Sequence, residues 1–325
     1  MAKNTYKIAV EAINEAKNIF IFHHIRPDGD CLGSQFGLAE LIKTNLPDKN
    51  VYVIGDSKNI FPFMNFKHDN INEIPKKHLE NSLAIVVDAN SSNRIQDADL
   101  IVNKTFTKTL RIDHHPVEPD INYDYTWEDA EYAASGEQIA YIAMQENWKV
   151  TDKAARYCYL AINTDSGRFN FSSVVKRTFD VVSYLHQDNG FSVWDVNFPL
   201  AKRDERKVRF MAYVLLKFKY EKEVSYFYVT KKIQKKFGLN EDEANDVNIL
   251  SNIGDTKIWV FFIDMNNGDI RVRIRSNGIW INHIAQKWRG GGHELASGAM
   301  LKSKSEMKLI IKDLQDEIIK HATNK

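Results

Sequence analysis

Cysteine is nearly absent: Cys31 and Cys158 are the only two in 325 residues. That is too few for a disulfide framework and fits a reducing compartment. Proline (7) and glycine (15) are too scarce for a collagen-like or low-complexity chain. Neither sign of charge is in excess, with 44 Lys+Arg against 43 Asp+Glu and a formal charge of +1. This balance excludes a strongly basic nucleic-acid-coating protein but leaves room for a local basic cleft. Long hydrophobic runs are missing as well. The longest, Ile19–Phe22, Leu83–Val87 and Trp259–Ile263, fall far short of the ~20 residues that span a bilayer. The stretch Met1–Lys17 has no apolar h-region of the signal-peptide kind. The expectation is a globular cytoplasmic protein, and at about 100–200 residues per domain its length suggests two domains.

What is present is an alternation of strand-like and helix-like patterns. Ile19–His24, Val51–Ile54, Ala84–Asp88 and Thr109–Asp113 read as strands. Helical spacing runs over Leu32–Asn45, Ser135–Asn147, Asp152–Thr164 and Val175–Asn189. This order predicts an α/β layer with a mostly parallel sheet, whose ligands gather beyond the carboxyl ends of the strands. Phe191–Pro199 is poorly periodic and Lys202–Leu216 helical, so 195–212 is read as a connector. Beyond it, Tyr213–Val229, Lys257–Met265 and Asp269–Ser276 read as strands, with Asn266–Asp269 as a hairpin turn. Gly290–Gly298 reads as a glycine-rich loop before a final helix over Ser305–His321, completing a smaller α+β unit.

Polar residues cluster where the first strands end. His24-Ile25-Arg26-Pro27-Asp28-Gly29-Asp30 sets an imidazole and two carboxylates in one turn, with Gly29 bending the backbone between the acids. Pro-Asp-Gly is also a common exposed turn. Asp88 ends a buried run, a place for a cleft residue or a helix cap. In Asp113-His114-His115 one imidazole can bind metal while its neighbour meets substrate, and Asp113 can hold the ring of the ligand histidine. Asp165 closes a helical segment. Together His24, Asp28, Asp30, Asp88, His114 and Asp165 make a six-member N/O donor set suited to two divalent ions sharing a carboxylate. Ligation without thiolate favours manganese, with magnesium, iron or cobalt as alternatives. Two ions ~3.5–4 Å apart can activate water for in-line displacement at phosphorus.

These segments, in this order, resemble the four motifs of the DHH phosphoesterases. Gly290-Gly291-Gly292-His293-Glu294 resembles the GGGH motif of the C-terminal substrate-binding domain associated with them. The chain is most similar to the nanoRNase/pAp phosphatase branch; family II pyrophosphatases share the metal motifs but lack the glycine segment. The resemblance implies that His24 and Asp28 hold one metal, that Asp30, His114 and Asp165 hold the other, and that Asp88 bridges both. It puts His115 on the scissile phosphate, with Asp113 beside it in the catalytic set. It puts Arg275, Ser276, Asn282, Gly291, Gly292 and His293 around the substrate's terminal phosphate. Asn90 and the Asn163-Thr164-Asp165-Ser166 stretch depart from the family pattern without removing a ligand.

The resulting expectation is a two-domain Mn²⁺-dependent phosphodiesterase acting on short RNA or DNA oligonucleotides or small nucleotides. Residues 1–194 would form the catalytic domain and 213–325 the substrate-binding domain. Products would be 5′-mononucleotides, with 3′-phosphoadenosine 5′-phosphate (pAp) a second substrate. No membrane partner is expected, and a homodimer is admitted. A cyclic-dinucleotide phosphodiesterase is the nearest rival and a non-catalytic nucleotide sensor the rival of another class. Cys31 is read as a packing residue, Trp259, Trp280 and Trp288 as core or domain-edge residues rather than base-stacking platforms, and Lys231–Lys236 as a solvated helix face.

Overall fold

Five short runs of apolar and β-branched residues pair side by side in the first half of the chain. The structure, a computed structural model, describes residues 5–323. It divides into one unit ending at Lys202 and a second beginning at Arg203.

In the first unit the strands are β1 (Asn18–Phe22), β2 (Asn50–Val53), β3 (Ser82–Val87), β4 (Lys108–Asp113) and β5 (Tyr125–Glu128). They form a parallel sheet in the order β2-β1-β3-β4-β5. β1 and β3 are buried along their whole length, which is why they read as continuous apolar runs rather than alternating ones. The helices are α1 (Tyr6–Glu15), α2 (Gly29–Asn45), the single-turn α3 (Asp99–Val102), α4 (Ser135–Gln145), α5 (Asp152–Asp165), α6 (Lys176–Leu185) and α7 (Val193–Ala201). The sheet grows outward from β1 in both directions, to β2 on one side and β3 on the other. The crevice beyond β1 and β3 is therefore the switch point where open α/β sheets bind ligands.

Helix α2 begins three residues before the expected Leu32, because the Asp28 carboxylate caps it by accepting from the backbone N–H groups of Asp30 and Cys31, each at 3.1 Å. Gly29 is thus a helical residue, not a hinge between two acids. What it needs is space, since a Cβ there would lie 2.2 Å from Thr164 Oγ1. Gly33 and Gly37 follow at four-residue spacing on the same face. A Cβ on Gly33 would stand 2.5 Å from the Tyr157 carbonyl, and one on Gly37 2.7 Å from Cys158 Sγ. This stripe lets α2 lie directly against α5.

The second unit holds α8 (Glu205–Lys217), β6 (Lys219–Glu221), β7 (Val224–Val229), α9 (Lys231–Phe237), β8 (Ile258–Asp264), β9 (Ile270–Ser276), α10 (Asn282–Lys287), β10 (Gly291–His293), β11 (Ala296–Leu301) and α11 (Ser305–Thr323). Its sheet runs β10-β11-β9-β8-β7-β6, antiparallel except for the β7–β8 pair. Ile270, Val272 and Ile274 of β9 pack into one core with Ile310, Leu314 and Ile318 of α11. On the opposite face Phe227, Trp259 and Phe261 pack with Phe210 and Val214 of α8.

Several expectations need correction. Tyr213 to Lys217 belongs to α8, where Phe210 and Val214 are buried four residues apart, and not to a strand. Phe191–Pro199 contains most of α7, capped by Ser192; Pro199 inside the helix hid the period. The stretch 195–212 holds the end of α7, a break at 202–204 and the first part of α8. Gly290–Gly298 is a β-hairpin, with Gly291, Gly292 and His293 paired to Gly298, Ser297 and Ala296. β5 (Tyr125–Glu128) has no counterpart among the expected strands. Trp259 is buried, but Trp280 is 62% exposed.

Replacing Gly33 by Ala pits two effects against each other. Helix propensity gains about 0.5–1 kcal/mol. Overpacking against the Tyr157 carbonyl, a backbone atom with little freedom to retreat, costs about 1–3 kcal/mol. Gly33→Ala is therefore expected to lower stability in denaturant titration. An increase in midpoint would show that α2 and α5 are not in forced contact.

Candidate metal centre

The backbone turns at the carboxyl ends of β1, β3 and β4 and the facing ends of α2 and α5 bring six side chains together. His24 follows β1, Asp28 caps α2, and Asp30 lies in its first turn. Asp88 follows β3 in the left-handed region (φ +56°), a conformation Asp tolerates better than most residues. His114 follows β4, and Asp165 is the last residue of α5.

Asp88 is 3% exposed, and its two oxygens face different histidines. Oδ2 lies 3.4 Å from His24 Nε2, and Oδ1 lies 3.6 Å from His114 Nε2. His24 Nε2 is also 3.4 Å from Asp28 Oδ2. His114 Nε2 is 3.6 Å from Asp30 Oδ2 and 3.3 Å from Asp165 Oδ2. The result is two half-sites joined by one carboxylate.

The donor chemistry fits divalent cations. His114 Nδ1 lies 3.2 Å from the Tyr132 carbonyl, which places its proton there and a lone pair on Nε2. That Nε2 is buried and has no hydrogen-bond partner. A lone pair aimed at three carboxylates is repulsive unless a cation sits between them. The carboxylates themselves are strained electrostatically. Burial, and then its neighbour Asp88, pushes Asp30 well above the usual carboxylate range. Burial raises Asp88 to about 6 and raises Asp165 as well. Asp28 moves the other way: burial opposes ionisation, but His24 and the backbone N–H groups it caps hold it low. His24 is lifted to about 12 by Asp28 and Asp88 against the opposing effect of burial.

Residues not singled out in the sequence hold this arrangement in place. Asp30 accepts from the N–H groups of Ser135 and Gly136 at the start of α4, both at 2.8 Å, and from Ser34 Oγ at 2.9 Å. A helix start is a natural seat for a carboxylate. Arg111, fully buried within β4, donates to Asp113 Oδ2 from Nε and Nη2 (3.2 and 2.7 Å) and to the carbonyl of Ala89, next to Asp88 (3.3 Å). Its other donors meet Glu128 and the carbonyls of His115 and Val117. The only sequence signal was a charge inside the run Thr109-Leu110-Arg111-Ile112.

Asp113 does not hold the ring of His114. It accepts from the His115 backbone N–H (3.0 Å) and faces His115 Nδ1 at 2.8 Å. That contact raises His115 to about 9 despite burial, so its half-exposed ring is cationic at neutral pH. Cys31 Sγ lies within the group formed by His24 and Asp28. Burial pushes its thiol up to about 12, and it accepts from the Asp28 N–H at 3.3 Å, which is a packing and capping role.

In the second unit, Arg275 of β9 pairs with Ala296, which pairs with His293, so these two side chains share one sheet face. Ser276 points to the other face, where its hydroxyl donates to the Ile279 carbonyl. Asn282 opens α10, its Oδ1 accepting from the His283 N–H at 2.9 Å.

The crowding of carboxylates predicts a measurable stability effect. Asp88 titrates near 6 in the fold against 3.8 when free, so the stability present below 3.8 is lost as pH rises through about 6. In EDTA at about pH 7.5, Asp88→Asn should be more stable than the parent by roughly 1–3 kcal/mol, with the gap closing toward pH 4. Mn²⁺ should raise the parent's melting temperature and leave the variant's nearly unchanged. A variant less stable than the parent in EDTA would contradict the electrostatic account.

The N-terminal domain of the DHH family matches residues 18–162, and the DHHA1 domain matches residues 217–320. Over 316 residues the chain is 42% identical to a Mycoplasma pneumoniae protein named bifunctional oligoribonuclease and PAP phosphatase NrnA, covering 97% of both chains. A protein of the same name from Bacillus subtilis is 33% identical over 311 residues, covering 94% of this chain and 96% of that one. Among solved structures, an exopolyphosphatase-related protein from Bacteroides fragilis superposes with a TM-score of 0.79 at 24% identity, over 97% of this chain and 96% of that one. Matched domain by domain and along nearly its whole length, this chain belongs to the DHH family, in the form that couples the DHH N-terminal domain to a DHHA1 domain.

Proposed function

We propose that this chain is a metal-dependent phosphodiesterase that hydrolyses short oligonucleotides to 5′-mononucleotides and removes the 3′-phosphate of pAp. The observation that carries this reading is the convergence of four carboxylates on two imidazoles, with the buried His114 Nε2 left without a hydrogen-bond partner. The names of its relatives at 33–42% identity supply the substrate class.

His24, Asp28 and Asp88 would hold one cation, and Asp30, Asp88, His114 and Asp165 the other. Their N/O character, with the nearby thiol protonated, favours Mn²⁺, with Mg²⁺ or Co²⁺ as alternatives. Bound divalent ions supply an activated water and offset the negative charge that grows on the phosphoryl oxygens. His115 then acts from the solvent side. Its Nδ1 proton is engaged by Asp113, which Arg111 holds from behind, so its Nε2–H is free to bond a phosphate oxygen and to protonate the departing oxygen. No covalent intermediate on the protein is required. Arg275, Asn282, Gly291, Gly292 and His293 would hold a terminal phosphate, the second unit, from Arg203 on, being the substrate-binding part. Ser276 would act there only by shaping the turn. Two buried free cysteines accord with a cytoplasmic setting.

Purified protein with Mn²⁺, offered RNA and DNA of 2 to 24 residues, pAp and cyclic di-AMP in parallel, should release 5′-mononucleotides fastest from the shortest RNAs and phosphate from pAp. A preference for the 24-mer would overturn the proposal, and cyclic di-AMP as the fastest substrate would replace it with the cyclic-dinucleotide reading. His115→Gln should lower kcat by about 10²- to 10⁴-fold while leaving Mn²⁺ binding by calorimetry intact. Loss of Mn²⁺ binding in that variant would instead make His115 a ligand.

A further inference from the structure

Of the six donor side chains, Asp28 and Asp165 are the most exposed, at 56% and 40%, while the other four are at 13% or less. A substrate therefore reaches the centre past Asp28 and Asp165, and the chain that follows Asp165 borders this entrance. That chain is tightly constrained. Gly167, Arg168 and Phe169 are successive left-handed residues, with φ of +58°, +60° and +63°, a conformation that bulky residues rarely adopt. The fully buried Ser166 locks the turn. Its Oγ accepts from the Phe169 N–H at 3.0 Å, and its carbonyl accepts from the N–H groups of Asn170 and Phe171 at 3.0 and 3.1 Å. Asn170 Nδ2 donates to the carbonyls of Gly167 and Arg168 at 2.7 and 3.0 Å.

The two phenylalanines of this turn end in opposite settings. Phe169 faces the core, stacked with Phe179 at 5.8 Å and 6.1 Å from Tyr159. Phe171 is 59% exposed and has no ring partner among the described residues. It lies against Gly167, where a Cβ would stand 2.6 Å from its Cε1 and Cζ. Successive Cα atoms are about 3.8 Å apart, so Gly167 Cα is at most ~7.6 Å from that of Asp165. The Phe171 ring thus borders the entrance to the metal centre. A single exposed phenylalanine is ordinary on a protein surface. A strained turn held rigid beside a polar centre is not, and such strain points to function. What this turn achieves is to keep one aromatic ring out of the core and next to the candidate ligands.

We propose that Phe171 is the stacking platform for the second nucleobase of a short oligonucleotide, the one whose nucleoside keeps the scissile phosphate. Release of 5′-mononucleotides adds the oxygen of water to phosphorus and breaks the P–O3′ bond, and O3′ takes a proton to become the free hydroxyl of the first nucleotide. The phosphate stays on the second nucleoside, whose base is joined to it through one ribose and reaches a ring placed beside Asp165. In pAp the phosphate is present and the second nucleoside is missing. Phe171 therefore separates two substrates of one centre, contributing to the binding of oligonucleotides and not to that of pAp. A ring face accepts any base, so the subsite registers that a second nucleoside is there and not which one it is. The inference rests on the proposed function, since it names a contact for one of its two substrates.

Steady-state hydrolysis of three substrates by the full-length chain in Mn²⁺ tests it: the dinucleotide pApA, the same dinucleotide with an abasic second residue, and pAp. The parent's KM for pApA should lie about 5- to 150-fold below that for the abasic analogue, the range of one base stacked on one ring. Phe171→Ala and Phe171→Leu, the second of which keeps apolar bulk without a ring face, should each raise KM for pApA to the abasic value. Neither should alter kcat, or KM for the abasic analogue or pAp, because a stack made equally in ground and transition states changes KM alone. Phe171→Tyr should behave as the parent. In parallel, a non-hydrolysable analogue in Mg²⁺, with a methylene in place of the scissile O3′ and 2-aminopurine as its second base, should lose fluorescence on binding the parent and Phe171→Tyr but not Phe171→Leu. The inference is overturned if the parent does not distinguish pApA from the abasic analogue, or if the alanine and leucine variants raise KM for pAp as much as for pApA. It is equally overturned if the parent does not quench the 2-aminopurine or if Phe171→Leu quenches it as fully. A parent that hydrolyses neither pApA nor pAp counts against the proposed function itself, and the quenching comparison then decides the stack alone.

Discussion

The direct contact between α2 and α5 is the constraint on which the rest of the first unit depends. Gly29, Gly33 and Gly37 remove the side chains that would hold the two helices apart. The helices meet at the end where α2 starts and α5 stops. Asp28 and Asp30 therefore face Asp165 across a gap of side-chain size, with Asp88 and His114 entering from the sheet. A wider separation would carry Asp165, the last residue of α5, away from Asp28 and Asp30. The glycines have lower helix propensity than alanine would, and that loss is offset by the juxtaposition they allow.

Juxtaposition alone would be unstable, because several buried carboxylates at short range repel each other. The fold manages this with dipoles and one cation placed behind the acids. Asp30 rests on the N–H groups that open α4, while Asp28 caps α2 with one oxygen and leaves the other for His24. Arg111 lies under the cluster and spreads its donors over Asp113, Glu128 and three carbonyls. It orients Asp113, and through it His115, without pointing at the centre itself. What remains unbalanced is concentrated on Asp30, Asp88 and Asp165, where a divalent cation gains most. Affinity for metal and intrinsic destabilisation of the metal-free fold are thus one property.

The second unit solves a different problem with similar economy. Its sheet buries an apolar core on one face against α10 and α11, and on part of the other face against α8. The remainder of that second face, over β9, β11 and β10, carries Arg271, Arg273 and Arg275 with Met300, Gly298 and Ala296 beside them and Gly291 and His293 beyond. A strand pattern of period two made this division inevitable once Ile270, Val272 and Ile274 took the core side.

Local chemistry is what the linear order of residues determined. The strands β1 to β4 and the helices α2, α4, α5 and α6 follow from apolar runs and periodicity, and the clustering of His24, Asp28, Asp30, Asp88, His114 and Asp165 at strand and helix ends was enough to make them candidate ligands. Motif order was enough to point to the family. The start of α2 was misplaced because a cap is recognised by the bonds it makes, and Pro-Asp-Gly also fits a turn. The glycine-rich segment read as a loop because glycine carries no periodic signal, and only pairing with β11 makes it a strand. Tertiary structure alone decided that Asp113 serves His115 rather than His114, that Arg111 supports both, and that three glycines on α2 set the distance to Asp165. Each of these depends on which residues, far apart in the chain, are pressed together. Periodicity says which side of an element is buried, but the neighbour it meets there is chosen by the packing of the whole domain.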